Sequence, residues 1–193
     1  MAIQFNSKKI NSIVFNIFLP IFLVTLGIVL SIKHNFMLIE SISNSEWSTF
    51  ENQLVRRHYM VAKLMDNYES RYPGIDDKIK SLKKVYKSFR LLSQDNKCKD
   101  FQLLDTKTTQ LINFLSTQEK MESDMFFNKT IEKYYLLTQK MKYAALRYNA
   151  NVIYYNERLK KSNYRYLVSY YNFSQLPVID NDTYLNFSKV EVF

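Results

Sequence analysis

Hydrophobic and polar positions divide the chain into one uncharged N-terminal stretch and a series of helical stripes. Residues 10–32, INSIVFNIFLPIFLVTLGIVLSI, hold 23 positions without a charge. About 20 such residues cross a bilayer as a helix, so this stretch predicts a transmembrane anchor preceded by a short segment, 1–9. Pro20 is expected to kink it. Lys8 and Lys9 precede the stretch and Lys33 follows it, with no further Lys or Arg before Arg56. The positive-inside tendency then favours a cytoplasmic N-terminus with the bulk of the chain on the other side. A cleaved signal peptide is the competing reading. Its cleavage site wants small residues, and Val29-Leu30-Ser31-Ile32-Lys33 offers no such pattern.

Beyond the anchor the apolar spacing is helical. Trp47, Phe50, Leu54, Val61, Leu64 and Tyr68 recur at three- and four-residue steps, and the missing step falls on Arg57 or His58. This helix is expected to continue the anchor, with a possible break at the polar run 41–45, and to stop at Pro73-Gly74. Asp76 and Asp77 suit the positive N-terminal end of a second helix, whose stripe is Ile79, Leu82, Tyr86 and Phe89. SQDNKCKD, residues 93–100, reads as a loop. Phe101, Leu104, Thr108, Leu111 and Leu115 predict a third helix. Phe127, Ile131, Tyr134, Thr138, Met141, Ala145, Tyr148, Val152, Tyr155 and Leu159 follow 4-3-4-3 steps, the a/d pattern of bundle packing. The expectation is an all-α protein: a transmembrane helix followed by an elongated antiparallel bundle of about four helices over 33–173, with a C-terminal tail, 174–193.

Composition removes several functions. The 193 residues include 2 Gly and 3 Pro. Phosphate-cradling loops and tight hairpins need glycine where φ is positive, so neither is predicted. Cys98, His34 and His58 are the only Cys and His residues, too few for a conventional zinc site. One cysteine permits no internal disulfide. No H-E-x-x-H or G-x-S-x-G occurs, and Glu119, Glu122 and Asp124 share a mixed-charge run with Lys120 that reads as a solvated face. No catalytic residue, metal or cofactor is predicted, and the chain is not expected to be an enzyme.

Two stretches resemble the LemA family, bacterial proteins with one N-terminal membrane helix and a helical-bundle domain. In EWSTFENQLVRRHYMVAKLM, residues 46–65, Trp47, Gln53, Arg56, Arg57 and Leu64 match the family's first motif. In YNANVIYYN, residues 148–156, Tyr148, Asn149, Val152, Tyr155 and Asn156 match its Y-N-x-x-V-x-x-Y-N. The order of anchor and motifs agrees over most of 10–173. Thr138 and Ala145 stand where the family usually has Glu and Arg, and a small-residue-rich end is missing, so the chain resembles a divergent member. The resemblance implies the bacterial cytoplasmic membrane and a bundle in the envelope; it brings no settled activity.

Three groups are candidates for function. Tyr148 and Tyr155 lie seven apart, as do Asn149 and Asn156, so each pair shares a helix face. Packing tyrosines and register-fixing asparagines are the favoured reading, with a ligand site as the alternative. Arg56 and Arg57 form the second group. Arg57 falls near an apolar seam, where it reaches water, pairs with a carboxylate such as Glu51 or Glu132, or, with Arg56, binds a partner or an anion. The third is a basic face of Lys140, Lys142, Arg147, Arg158, Lys160, Lys161 and Arg165, interleaved with tyrosines. It reads first as a solvated face. Next comes contact of Lys160, Lys161 and Arg165 with anionic lipid, and after that single-stranded nucleic acid. The formal net charge of +9 fits either anion. The expected function is therefore binding: an envelope scaffold or adaptor that contacts protein or the membrane surface. An extracytoplasmic sensor with a pocket at Tyr148, Tyr155 and Arg57 is the alternative, and a membrane-tethered nucleic-acid binder ranks below it. Self-association of bundles is left open.

Overall fold

The computed structural model describes residues 7–69, 75–118 and 123–179. Among the described residues there is no strand. The described residues form five helices: α1, Ser7–Tyr68; α2, Ile75–Arg90; α3, Gln94–Ser116; α4, Met125–Lys160; and α5, Arg165–Tyr170, entered through a 3₁₀ turn at Ser162–Tyr164.

α1 is unbroken over 62 residues, with Pro20 inside it. At 1.5 Å per residue it is about 93 Å long. The expected break at 41–45 does not occur. Ser43 is buried, and its hydroxyl donates to the Ile39 carbonyl at 2.8 Å, so a polar residue fits the seam without leaving an unsatisfied group. The Pro73-Gly74 turn lies outside the described residues.

The second half of α1 packs antiparallel to α4. Phe36 meets Tyr155, Trp47 meets Tyr148, and Tyr68 meets Phe127, with ring centroids 5.8, 5.5 and 6.3 Å apart. α2 runs back along α1, its Tyr86 stacked on His58. α3 runs forward again, bringing Phe101 to 5.2 Å from Phe50. The result is an antiparallel four-helix bundle. Every residue of the α1 and α3 stripes named above is buried. In α2 Tyr86 is half-buried, as Ile131 is in α4.

Local chemistry explains the helix ends. α2 begins with Asp76 and Asp77 and ends with Lys87 and Arg90, each complementing the helix dipole. Asp124, expected on a solvated face, is instead the N-cap of α4: one carboxylate oxygen accepts from the Phe126 and Phe127 amides at 2.9 and 3.1 Å. Its other oxygen accepts from the Tyr68 hydroxyl at 2.6 Å, joining the far ends of α1 and α4. The expected loop at 93–100 is largely helical. Ser93 is the extended residue before α3, and Cys98 is buried one turn ahead of Phe101. A single core-facing side chain in an otherwise polar turn hides its helical period.

The α2–α3 hairpin is shorter than the α1–α4 pair. Near the apolar N-terminal stretch the two long helices have no α2 or α3 beside them. There Phe36, Ile39, Tyr155 and Leu159 form a second cluster, covered by Tyr164, Val168, Phe173 and Leu176. The chain after α5 thus completes the bundle: Ile179 is fully buried in the main core, so packing extends past residue 173 to the end of the described residues.

Candidate functional site

The YNANVIYYN motif folds into a latch. Asn149 and Asn156 lie on one side of α4, beside an extended segment, 176–179. The Asn149 amide donates to the Ile179 carbonyl at 2.8 Å and accepts from the Ile179 N–H at 2.9 Å. Asn156 does the same to Leu176, at 2.8 and 2.9 Å. A carboxamide offers a donor and an acceptor side by side, so each one substitutes for a neighbouring strand. The Tyr148 hydroxyl donates to the Pro177 carbonyl at 2.7 Å and accepts from the Gln94 side chain at 3.0 Å. Proline lacks an N–H, and position 177 offers only the carbonyl that Tyr148 uses. Seven-residue spacing along α4 therefore matches three-residue spacing along the strap.

Tyr148 and Tyr155 are themselves core residues. Tyr148 packs on Trp47 and beside Cys98, and burial raises its phenol well above the usual range. Tyr155 packs edge-on against Phe36; burial, with help from Glu40, pushes its phenol up to about 12. Cys98 is likewise pushed up to about 12, by burial first and then by Asp95, so its thiol stays protonated and unreactive.

Arg57 is 1% exposed and pairs with Asp105 of α3, not with Glu51 or Glu132. Its guanidinium also lies 5.3 Å from the ring centroid of Tyr134. Glu51 instead binds Lys97, and buried Glu46 binds Arg147, two further cross-helix pairs. Asp105 lies four residues after Phe101 and three before Thr108, hence on the α3 seam facing Arg57. His58, next to Arg57, is held neutral: burial, Arg57 and Arg90 bring its pKa down to about 4.

Arg56 points outward. It lines an apolar groove of about 430 Å³ between α1 and α4, with Val55, Tyr59, Met60, Lys133, Leu136 and Leu137. Neither Tyr148, Tyr155 nor Arg57 faces that groove, and the structure does not bring those three into one cavity. Among the described residues no three His, Cys, Asp or Glu side chains converge as metal ligands would.

The basic face separates into parts. Arg147 is used by Glu46, and Arg158 reaches the Tyr154 hydroxyl at 3.1 Å and that of Tyr164 at 3.5 Å. Lys160, Lys161 and Arg165 are exposed where α4 turns into α5.

The apolar stretch of α1 contrasts with everything above. From Phe15 to Ile28 its large apolar side chains lie open, and no part of its most apolar window, of mean hydropathy 2.4, is buried. The molecule is thus an all-helical protein with one N-terminal helix long and apolar enough to span a membrane. Comparisons with protein families, characterised proteins and solved structures return no match for this chain.

Proposed function

We propose that the chain is a single-pass membrane protein of the bacterial envelope, a divergent relative of the LemA family, whose bundle acts by binding rather than by catalysis. The bare apolar stretch 15–28 of α1 carries this reading. Its fourteen consecutive exposed positions would be costly in water, whereas lipid satisfies them and the helix satisfies its own backbone. The family part of the reading rests on the sequence resemblance of the two motif stretches alone; in the fold they supply the Arg57 pair and the Asn149–Asn156 latch. The seam is filled by aromatic and aliphatic side chains, which favours a scaffold or adaptor.

A ligand-binding sensor is favoured by one feature, the apolar groove beside Arg56. Both readings are tested by placing a photoreactive residue at Val55, Leu136 or Tyr143 in the intact protein in its native membrane. A scaffold predicts a defined protein adduct from these positions and none from Lys84 on α2. Absence of protein adducts, with loss of a bound small molecule on Leu136→Arg, would replace the scaffold by the sensor.

A further inference from the structure

The corner between α4 and α5 stands where a membrane surface would be. Because α1 continues without a break, the distance from the anchor to this corner is fixed. Phe36 follows Ile32 by four residues, about 6 Å along the axis. It touches Tyr155, Tyr164 and Phe173 at centroid distances of 5.8, 5.6 and 5.2 Å. Lys33, between the anchor and this cluster, lies over the ring of Tyr171 at 4.7 Å. The end of α4 and all of α5 are therefore within about one helical turn of the end of the apolar segment.

Lys160, Lys161 and Arg165 are exposed, and among the described residues none of them has an ion pair; Lys80, Lys84 and Lys140 share that state, so what sets the corner apart is its place beside the end of the apolar segment together with two highly exposed tyrosines. Among the described residues Glu157 and Glu40 are the nearby acids, outnumbered by these three cations and Lys33. Tyr166 and Tyr170 are 88% and 77% exposed. They sit four apart on α5, hence on one face. An exposed tyrosine pair is poorly placed in bulk water, but its apolar ring and polar hydroxyl suit the headgroup layer.

Resting on the anchor reading, we propose that this corner binds the headgroups of anionic phospholipids. Lys160, Lys161 and Arg165 neutralise the phosphates, and Tyr166 and Tyr170 enter the interface. Bound there, the corner would hold the bundle upright on the bilayer instead of letting it swing about α1.

The test uses the full chain in nanodiscs of phosphatidylcholine, with or without about one-third phosphatidylglycerol. Two photoreactive lipids are used, one labelling from a phosphatidylglycerol headgroup and one from an acyl chain, and adducts are mapped by peptide mass spectrometry. Headgroup adducts are expected at 158–171. Each cation near a charged surface contributes about fivefold, so Lys160→Gln/Lys161→Gln/Arg165→Gln should cut them at least fivefold. Acyl-chain labelling of 17–30 and the helical circular dichroism should be unchanged. Equal labelling of triple variant and wild type, or of the corner by a phosphatidylcholine headgroup probe, overturns the proposal while leaving the anchor intact. Absence of acyl-chain labelling at 17–30 overturns the anchor, and this placement with it. Salt-sensitive retention on single-stranded DNA, lost in the triple variant and without anionic-lipid preference, replaces lipid by nucleic acid.

Discussion

Asn149→Ala separates the strap from the helices it covers. The substitution removes both hydrogen bonds to Ile179, whose backbone is then left buried without that partner. An unsatisfied buried group costs about 1–3 kcal/mol, giving roughly 2–6 kcal/mol if nothing moved. The strap can instead lift away, which exposes the fully buried Ile179 and part of Leu176. Burying one such side chain is worth about 1.5–3 kcal/mol, so lift-off limits the loss to about 2–3 kcal/mol. Amide hydrogen exchange reads this directly, because a local opening has its own free energy. At a factor of ten per 1.4 kcal/mol, protection at Ile179 should fall about 30- to 150-fold, with α1 to α4 changing far less. Asn149→Leu keeps the bulk and should behave like Asn149→Ala. Asn156→Ala, at a half-buried site open to replacement water, should cost about 1 kcal/mol, a fivefold effect. Exchange at Ile179 within twofold of wild type in Asn149→Ala would refute the latch. Equal loss of protection throughout the bundle would refute its independence from the helices.

Further outcomes follow from the buried charges and the buried thiol. Arg57→Gln strands Asp105 in the core and should cost about 3–5 kcal/mol in denaturant unfolding followed by Trp47 fluorescence, with much of it recovered in Arg57→Met/Asp105→Leu; Arg56→Gln, at the surface, should stay within about 0.5 kcal/mol. His58 is held near pKa 4 when folded against 6.5 when unfolded, so the unfolded chain binds more protons between those values. Stability should fall as pH drops from about 6.5 towards 4, and His58→Gln should flatten that slope; an unchanged slope would exclude His58 as its cause. Cys98, buried and pushed up to about 12, should react with iodoacetamide at least a hundredfold more slowly in the folded chain than in denaturant. Equal rates would place it outside the core.

Periodicity carried most of the fold because bundle helices bury one stripe each, and that stripe repeats along the chain. The α4 seam is the clearest case, with ten positions in step, nine of them buried and Ile131 packed at its edge. Where a segment buries its residues without repetition, the signal fails. The first turn of α3 shows the core only Cys98, and its other residues resemble a loop. The strap follows no period at all, because side-chain amides hold it rather than a helix or sheet. The asparagines at 149 and 156 are visible as a same-face pair, yet their partners lie 30 and 20 residues away in a tail without a helical period. Arg57 shows the same division: its place on the seam followed from spacing, and its pairing with Asp105 required the α1–α3 contact. Asp124 reads as solvated in the sequence and caps α4 in the structure because a capping carboxylate and a solvated one look alike in a charged run.

If the bare stretch of α1 lies in lipid and α1 carries the bundle, single cysteines introduced at 15 to 36 in a Cys98→Ser chain in native membranes should differ in their accessibility to a membrane-impermeant maleimide. A protected block from about 17 to 30 is expected, retained with the chain after alkaline extraction, with labelling that returns by Lys33. Uniform labelling across the block, release of the chain by alkali, or loss of residues 10–32 from the mature protein would contradict the placement in lipid.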